Sequence, residues 1–289
     1  MIIVKLWGGL GNQMFQYSLY RVFALRGVEA AVDLSYYCSK VANSTYELNR
    51  VFGLSPRETS KKELSDLADY RMTIYHRIKK RIAPKPTHFL QRSTGNVGYD
   101  ASILNMRNAY LEGYFQSSQY FKGIEIELRE EFDFALPISS HTSEAVDHIR
   151  ESESVAVHIR RGDYLKGMEG TVPLSESTYY SRAMDEVLSQ HRDAEFFVFS
   201  NDPLWCRLRF ADMNNINIVD WNRGTDSWQD MYLMSQCKHN IIADSSFSWW
   251  AAWLNRYSNK DVFAPSKWLP SDKLLFSHIL ENAWITVER

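Results

Sequence analysis

The residues best suited to chemistry stand at the end of an apolar run, in the stretch HIRRGDY. Val155–Ile159 alternates like a β-strand and is followed by Arg160, Arg161 and Asp163. Alternate residues of a strand share a face, so His158 and Arg160 should point one way and Arg161 the other. A guanidinium pairs with phosphate through two hydrogen bonds and stays charged at any working pH. The stretch predicts an anion site at Arg160; the alternative is a structural Arg–Asp pair at a strand end.

A second group of polar residues follows another apolar run, Asn240–Ala243. Asp244, Ser245 and Ser246 come directly after this run and precede a tryptophan-rich helix. Hydroxyl groups and unpaired backbone N–H groups at a helix N-terminus form a natural anion site. The alternative is ordinary helix capping, which Asp and Ser provide equally well. The two interpretations are compatible, and the turn is a second candidate for binding phosphate.

Two further polar positions fall where predicted strands and helices meet. The stretch FFVFSND ends a strand at Ser200, at the edge where parallel α/β sheets bind ligands. Asp230 lies 16 residues before Ser246, in the first turn of the preceding predicted helix. A carboxylate at that place could accept the two N–H donors of a guanine base. Taken alone, Asp230 is equally consistent with an acidic residue that starts a helix.

A glycine-rich stretch, GGLGNQMFQ, follows the first apolar run of the chain. It precedes a helix predicted over residues 13–25 but lacks the third glycine of the dinucleotide fingerprint and the Gly-Lys-Ser/Thr ending of a P-loop. Gly11 would let a ligand approach the backbone, and the amides of Asn12 and Gln13 can donate and accept hydrogen bonds. The alternative is an ordinary turn before a helix.

The elements that must position these residues alternate between strands and helices. In the second half of the chain, apolar runs alternate with helical segments, including one over Ser177–Gln190 and one that starts near Ser227. This rhythm predicts a parallel, right-handedly wound sheet. The first half opens in the same way, so we predict two Rossmann-like domains with a linker near residues 136–148. The apolar runs are Val155–Ile159, Phe196–Phe199, Ile216–Val219, Asn240–Ala243 and Val262–Ala264.

Composition excludes several classes of function. The 289 residues are 45% hydrophobic and carry a net charge of −2, which argues against a protein that binds nucleic acid through its overall charge. The three cysteines are far apart and form no C-x-x-C pair, so neither a disulfide framework nor a zinc motif is indicated. The N-terminus lacks the continuous apolar core of a signal peptide, and no run is long enough to span a membrane. We therefore expect a cytoplasmic protein.

One segment carries a local positive charge. Residues 71–92 hold seven Lys or Arg and no Asp or Glu, with Tyr75, Ile78 and Ile82 on one helical face. The pattern predicts a basic amphipathic helix. Its functional interpretation is peripheral contact with the inner membrane or with a lipid-linked glycan, and its structural interpretation, which the usual behaviour of such stripes favours, is packing on the domain.

Five ordered stretches together resemble the bacterial α-1,2-fucosyltransferases of glycosyltransferase family 11. They are GGLGNQMFQY, EGYFQSSQYF, HIRRGDY, FFVFSND and DMYLMSQCKHNIIADSSFSWWAAWL. The resemblance implies a GT-B-like α/β fold, in which two Rossmann-like domains face each other across a cleft. It also implies no metal cofactor, and the sequence offers no D-x-D motif for one. The implied domains are an acceptor-side domain at 1–140, a GDP-fucose-binding domain at 150–270 and a C-terminal segment at 271–289 that packs back on the first domain.

The resemblance assigns a role to each motif. Arg160 resembles the arginine that grips the β-phosphate of the donor, and His158 and Asp163 lie near the donor in the same pattern. Asp230 resembles the aspartate that reads guanine. Asn12 resembles the asparagine whose loop borders fucose and pyrophosphate. The implied donor-binding set is Gly11, Asn12, Gln13, His158, Arg160, Ser200, Asp230, Asp244, Ser245, Ser246 and Phe247, and the implied catalytic set is His158, Arg160 and Asp163. The aromatic rings of Tyr114 and Phe115 are candidate faces for the acceptor sugar, and the alternative, at least as well supported, is that they pack in the core.

The implied reaction is transfer of L-fucose from GDP-β-L-fucose to the 2-hydroxyl of a terminal β-galactoside in a surface glycan, with inversion to the α-linkage. Two alternatives remain open from the sequence. One is a transferase on the same scaffold that uses a different GDP-sugar or acceptor linkage. The other is a non-catalytic module that binds a nucleotide or a glycan.

Overall fold

A computed structural model describes residues 1–39, 42–68, 87–91, 98–161, 172–268 and 278–289. These residues cluster into two compact units. Unit 1 comprises residues 1–135 with 278–279, and unit 2 comprises residues 136–268 with 280–289, within the described ranges. The chain therefore passes from one unit to the other at residues 135–136, where the sequence predicts the linker to begin.

Unit 1 is built on a four-stranded parallel sheet with the strand order β2-β1-β4-β3. Strand β1 pairs with β2 and β4, and the long helix α1 packs against β1 and β2. Helix α1 begins at Leu10, three residues before its predicted start, because Gly9 already has the extended backbone of an N-cap residue. The strands are β1 Ile2–Lys5, β2 Ala30–Asp33, β3 His88–Leu90 and β4 Ala109–Glu112; the helices are α1 Leu10–Leu25, α2 Leu48–Phe52, α3 Lys61–Leu67 and α4 Glu125–Glu131, with short 3₁₀-helices at Ala101–Asn105 and Ser118–Phe121.

Unit 2 is built on a six-stranded parallel sheet with the strand order β10-β9-β8-β5-β6-β7. The five strands predicted in this half are all present, because strands covered on both faces by helices are continuous apolar runs. The α/β class is thus confirmed. The strands are β5 Glu153–Ile159, β6 Ala194–Ser200, β7 Ile216–Val219, β8 His239–Ile241, β9 Val262–Pro265 and β10 Ile285–Val287; the helices are α5 Ser140–Glu151, α6 Tyr179–Gln190, α7 Pro203–Arg209, α8 Trp228–Gln236 and α9 Ser246–Leu254, with short 3₁₀-helices at Leu174–Glu176 and Gly224–Asp226.

Two regions differ from the sequence-based expectation. The Ser- and Thr-rich stretch after Pro137 is not a loose linker but the start of α5, where the Ser139 hydroxyl accepts the Thr142 N–H at 3.2 Å as an N-cap. The C-terminal segment is divided between the units. The carbonyl of His278 accepts a hydrogen bond from Ser117 in unit 1, whereas Ile285–Val287 pairs with β9 in unit 2.

The tryptophan-rich helix α9 is part of the core of unit 2. Trp249 and Trp250 are fully buried and Trp253 nearly so, which agrees with the prediction that they pack in the interior. Among the described residues, no helix is both long enough and apolar enough to cross a bilayer.

Candidate functional site

The candidate site lies at the carboxyl edge of the unit 2 sheet. All strands of this sheet run parallel, so the ends of β5, β6 and β8 meet at one edge. The motifs around Arg160, Ser200 and Asp244 follow these three strands directly. Ligands of open α/β sheets bind outside the carboxyl ends of the strands. The topology therefore brings three of the predicted motifs to one place.

The two arginines after β5 have different surroundings. Arg161 is buried, and its backbone N–H donates to Asn201 at 2.9 Å. Its guanidinium pairs with Asp202 at 3.1 Å and with Glu176, and it lies over the Trp205 ring at 4.1 Å from the ring centroid. Arg161 is therefore scaffold, as the alternation of strand residues predicts.

Arg160 lies on the other face and is half-exposed. It is close enough to His158 and Asp244 for its charge to lower the pKa of both. Arg160 thus lies beside a carboxylate and a buried imidazole at the carboxyl edge of the sheet, and both anion binding and a role in catalysis stay predictions.

His158 is buried in a neutral environment. Burial, with a smaller contribution from the nearby charge of Arg160, lowers its pKa to about 3. Its Nδ1 atom is buried and accepts or donates no hydrogen bond within the described chain, and its ring lies 5.8 Å from that of Phe247. The hydroxyl of Tyr180 donates to the His158 carbonyl at 2.8 Å, which fixes the backbone here. A neutral imidazole with an unused nitrogen is suited to hydrogen bonding with a ligand.

The turn between β8 and α9 forms a helix cap at the place where the sequence predicts an anion site. Ser245 is the N-cap of α9, and its hydroxyl accepts the Phe247 N–H at 3.4 Å. Ser246 is the first helical residue and is half-buried. The Ser248 hydroxyl accepts the Ala243 N–H at 3.2 Å and so ties the end of the strand to the helix. Capping is thus observed, and the N-terminus of this nine-residue helix faces the edge that also carries Arg160.

Asp244 is a buried carboxylate at this turn. Burial raises its pKa to about 6, an effect opposed by the charges of Arg289 and Arg160. The guanidinium of Arg289 lies 3.5 Å from Asp244 Oδ2. No motif in the sequence predicts Arg289 at this place.

Asp230 lies in the first turn of α8, as predicted. Burial raises its pKa to about 7, and the Asn222 amide, which donates to Oδ1 at 2.9 Å, opposes this effect. Asn222 also accepts a hydrogen bond from Thr142 at 3.2 Å. Sequence reasoning missed Asn222 because an asparagine before a helix is an ordinary loop residue. The hydrogen bond from Asn222 orients the Asp230 carboxylate.

The end of β6 is mainly structural in the described chain. The Ser200 hydroxyl accepts the Asp202 N–H at 3.0 Å, and Asp202 caps α7 through the Trp205 N–H at 3.2 Å. Asn201 and Asp202 both hold Arg161. The donor-binding role of Ser200 stays a prediction, and the rest of this motif positions the scaffold arginine.

The glycine turn of unit 1 is organised around Asn12 and Gln13. Gly11 and both amides lie inside the first turn of α1 rather than in the preceding loop. Gln13 is fully buried; its amide donates to the carbonyls of Gly8 and Thr45 and accepts the Glu47 N–H. These contacts use the polar groups of Gln13 in holding two loops together. A role for Gln13 in binding the donor through its side chain is therefore not supported.

Asn12 is half-buried, and its Oδ1 atom accepts a hydrogen bond from Gln116 at 2.8 Å. Gly8 has a φ of 82°, and a Cβ atom on it would lie 2.7 Å from Asn12 Nδ2. Both facts require glycine at this position. The close packing of Gly8 on Asn12 positions the amide that the family resemblance implies.

The two candidate acceptor residues have opposite environments. Tyr114 is half-exposed and stacks on Trp7 with 4.4 Å between ring centroids. Phe115 is fully buried with a φ of 52° and packs on Tyr120. Gln91 Oε1 accepts the N–H groups of both residues, which stabilises this unusual backbone. Phe115 is thus a core residue with no face for a sugar, and Trp7, which the sequence analysis missed, extends the aromatic surface of Tyr114.

Two predicted features lie outside the described residues. Asp163 falls in residues 162–171, and the basic segment 71–92 is described only at 87–91. The predicted roles of Asp163 and of the basic segment therefore stay predictions.

Comparisons with known proteins identify the family of this chain. The model of the family described as Glycosyl transferase family 11 matches residues 93–288, more than half of the chain. An Escherichia coli protein named alpha-1,2-colitosyltransferase is 29% identical over 100% of this chain and 99% of its own length. The Escherichia coli O-antigen biosynthesis glycosyltransferase WbnK is 28% identical over 97% of this chain and 98% of its own.

Other similarities are weaker or cover less of the chain. The human galactoside alpha-(1,2)-fucosyltransferase 1 is 28% identical over 50% of this chain and 42% of its own length. The crystal structure of the fucosyltransferase NodZ from Bradyrhizobium superposes with a TM-score of 0.47 at 11% identity, over 86% of this chain and 91% of that one. The family match, which covers the β5 and β8–α9 motifs, carries the assignment. The chain belongs to glycosyltransferase family 11 and is a glycosyltransferase.

Proposed function

We propose that this enzyme transfers L-fucose from GDP-β-L-fucose to the 2-hydroxyl of a terminal β-galactoside, with inversion to an α-1,2 linkage. The observation that carries the proposal is the position of Arg160 at the same sheet edge as the N-terminus of α9, next to a buried imidazole with an unused nitrogen. The names of the relatives support the linkage, since they include an alpha-1,2-colitosyltransferase and a galactoside alpha-(1,2)-fucosyltransferase. The O-antigen relative supports a role in surface glycan synthesis.

Stabilisation of the leaving group is the main catalytic effect in this proposal. As the bond between fucose and the β-phosphate breaks, negative charge grows on the diphosphate and positive charge on the sugar ring. Arg160 and the N–H groups at Ser245 and Ser246 would bind the diphosphate where this charge develops. No metal ion is required in this scheme, because the cation and the helix terminus take its electrostatic role.

The guanine base would be recognised by Asp230. Its ionised carboxylate can accept two N–H donors from guanine, whereas uracil presents a different edge. Asn222 holds one carboxylate oxygen and so fixes the orientation of the other. The ring of Phe247, beside His158, supplies an apolar face close to the nucleotide.

The general base is assigned by elimination among the candidates near the donor. His158, with a pKa of about 3, is too weak a base to take a proton from the acceptor hydroxyl at neutral pH. It therefore serves as a hydrogen-bonding group. Asp163, in the same motif, remains the candidate for the base.

Unit 1 would supply the acceptor side. Asn12 is oriented by Gln116, and the Trp7–Tyr114 pair offers an aromatic face of the kind that stacks on sugar rings. The basic segment 71–92 could bring the enzyme to anionic lipid and so to a lipid-linked acceptor at the inner membrane. In this proposal the reaction takes place in the cytoplasm and the enzyme contacts the membrane peripherally.

A second donor is favoured by one observation. The relative that matches the whole chain is named for colitose, which is L-fucose without its 3-hydroxyl. A GDP-colitose donor would use the same diphosphate and guanine contacts. Only the contacts to the 3-hydroxyl position would differ.

The test is a matrix of donors and acceptors with the purified chain. The donors are GDP-fucose, GDP-colitose and GDP-mannose, and the acceptors are lactose, methyl β-galactoside and its 2-deoxy analogue. We expect transfer of fucose to the first two acceptors, an α-1,2 linkage by NMR, and no product with the 2-deoxy control. Exclusive use of GDP-colitose would establish the second donor. Product on the 2-deoxy acceptor would refute the linkage, and GDP binding without any transfer would refute both candidates.

A further inference from the structure

A row of polar residues crosses the carboxyl edge of the unit 2 sheet. Val157 of β5 pairs with Ile241 of β8, and continuing this register places Arg160 beside Asp244. Ile241 in turn pairs with Phe263 of β9, and the same continuation places Asp244 beside Ser266. Paired residues of parallel strands point to the same face of the sheet. The row thus extends from the motif arginine towards β9, the neighbour of the edge strand β10.

Arg289 reaches this row from beyond β10. Its guanidinium lies 3.5 Å from Asp244 Oδ2, and the exposed fractions of the two side chains are 15% and 2%. Its Nη1 atom is buried and has no hydrogen-bond partner in the described parts of the chain. The same is true of the Ser266 hydroxyl, whose residue directly follows β9. Strand β10 pairs with β9 as far as Val287 and Pro265, and Arg289 follows two residues after Val287.

The positive and negative charges along the row do not cancel one another. Asp244 is a buried carboxylate beside the arginine assigned to the diphosphate. With no other cation nearby, its charge would cancel that of Arg160 and weaken the attraction for an anionic ligand. Arg289 adds a second cation on the other side of Asp244. Of these three described side chains, two are then cations and one is a carboxylate, so their net charge favours an anionic ligand.

We propose that Arg289 is a positioning residue of the donor site, which compensates the charge of Asp244 so that the charge of Arg160 serves the diphosphate of the nucleotide. The proposal rests on the proposed function for the presence of a diphosphate at Arg160. It does not depend on the base or on the sugar. Arg289 acts through Asp244, because its guanidinium lies 3.5 Å from the Asp244 carboxylate.

The test is a double-mutant cycle on binding. GDP, UDP and inorganic pyrophosphate are titrated by calorimetry into the native chain and into R289A, R289K, D244N and the double variant R289A/D244N. R289A should bind GDP about tenfold more weakly, since removing a charge at this distance in a partly buried site has an effect of that order. R289K should recover most of the affinity. In the D244N background, where no carboxylate needs compensation, R289A should change the affinity less than about twofold.

Each other outcome overturns the proposal. An equal loss from R289A in both backgrounds would mean that Arg289 contacts the ligand itself. Unchanged binding by R289A would mean that the pair is only structural. Arg182, an exposed arginine on α6, gives the matched control R182A, which should bind like the native chain. If the native chain binds UDP or pyrophosphate but not GDP, the proposed donor is refuted, and the mutant cycle can still test Arg289 with the probe that binds. If the native chain binds none of the three probes, both the donor and the role of Arg289 are refuted.

Discussion

The two edges of the unit 2 sheet both carry polar and charged residues, but the hydrogen bonding of these residues differs. At the carboxyl edge, His158 Nδ1, Ser266 Oγ and Arg289 Nη1 are buried without hydrogen-bond partners among the described residues. At the amino edge, Glu153 and Asp261 are paired with their neighbours at hydrogen-bonding distance. Buried polar groups are normally satisfied, and the amino edge follows this rule. The carboxyl edge, where the proposed donor site lies, departs from it at these three atoms.

At the amino edge, the polar and charged side chains pair with one another. Glu153 Oε2 accepts from Lys238 at 2.7 Å, and Oε1 lies 3.1 Å from His239 Nε2. His191 lies between Glu153 and Asp261, at 3.2 and 2.9 Å. The Asp261 N–H donates to His239 Nδ1 at 3.0 Å. Each of these charged or polar groups has a protein partner, and together they join the starts of β5, β8 and β9.

The largest effect should come from the carboxyl edge. Arg160→Ala removes the cation that neutralises the leaving group, so kcat/KM for fucose transfer should fall by about 1,000-fold or more, as when a preorganised electrostatic group is lost. The melting temperature should stay within about 2 °C of the native value, because Arg160 is half-exposed. Kinetics with GDP-fucose and lactose, together with calorimetric melting, measure both quantities.

The neighbouring arginine is the matched control for this variant. Arg161→Ala leaves Asp202 and Glu176 without their cation and removes the stacking on Trp205, so it should lower the free energy of unfolding by about 2 kcal/mol. A stable Arg161→Ala chain combined with an unfolded Arg160→Ala chain would reverse the assignment of the two arginines.

The two arginines also show which features of the fold and the site can be predicted from the sequence. Strand alternation separates Arg160 from Arg161 correctly, and continuous apolar runs locate β5, β6 and β8 because both faces of the sheet are covered. Asp244–Ser246 were found since a strand end followed by a cap is a local pattern. In contrast, β10 has three residues and no readable period, and the Arg289–Asp244 contact joins distant parts of the chain. Such a contact depends on strand order, which local patterns do not contain.

The candidate residues of unit 1 illustrate the same limit. The stretch EGYFQ marks an aromatic pair, but burial of Phe115 follows from its positive φ and from the two hydrogen bonds that Gln91 accepts. Neither is visible in composition or spacing. Likewise, the amides of Asn12 and Gln13 look equivalent in sequence, yet only tertiary contacts show that Gln13 ties together two loops.

A smaller effect is expected from pH at the carboxyl edge. Burial raises the pKa of Asp230 to about 7, and guanine binding requires its ionised form. GDP affinity should therefore fall about tenfold from pH 8 to pH 6, because a carboxylate that has taken up a proton must lose it again before guanine can bind. In the ligand-free chain the sign is opposite: the raised pKa stabilises the fold at low pH, and this contribution is lost as the pH rises through about 7. Calorimetric titration of GDP at several pH values measures the first effect.

The control for the pH effect is Asp230→Asn, which has no proton to exchange at this position. Its GDP affinity should be weak and nearly independent of pH over the same interval. A native chain whose GDP affinity is constant from pH 8 to pH 6 would exclude Asp230 from guanine recognition.

At the amino edge, we expect loss of stability without loss of catalysis. Glu153→Gln should lower the free energy of unfolding by about 1 kcal/mol at pH 7, because solvent screens part of its interaction with Lys238 and His239. Hydrogen bonding to Lys238 lowers the pKa of Glu153, so its contribution is present above the ordinary range of a glutamate. The difference from the native chain should vanish as the pH falls through that lowered pKa. Urea unfolding at pH 7 and pH 4 measures it, and a fall in kcat of Glu153→Gln would contradict the separation of the two edges.

The smallest expected effect concerns metal at the amino edge. Glu153, His191 and His239 place their ligand atoms within 4.8 Å of one another, which is the spacing of a metal site. Zinc requires a deprotonated ring nitrogen from each histidine. In His239, however, Nδ1 already accepts the Asp261 N–H, so the proton of the neutral ring must sit on Nε2, the atom that faces Glu153. Zinc at about equimolar concentration should therefore leave the melting temperature within about 1 °C of that in EDTA. A rise of several degrees that His239→Gln abolishes would show that the tautomer switches and that this edge also binds a ligand.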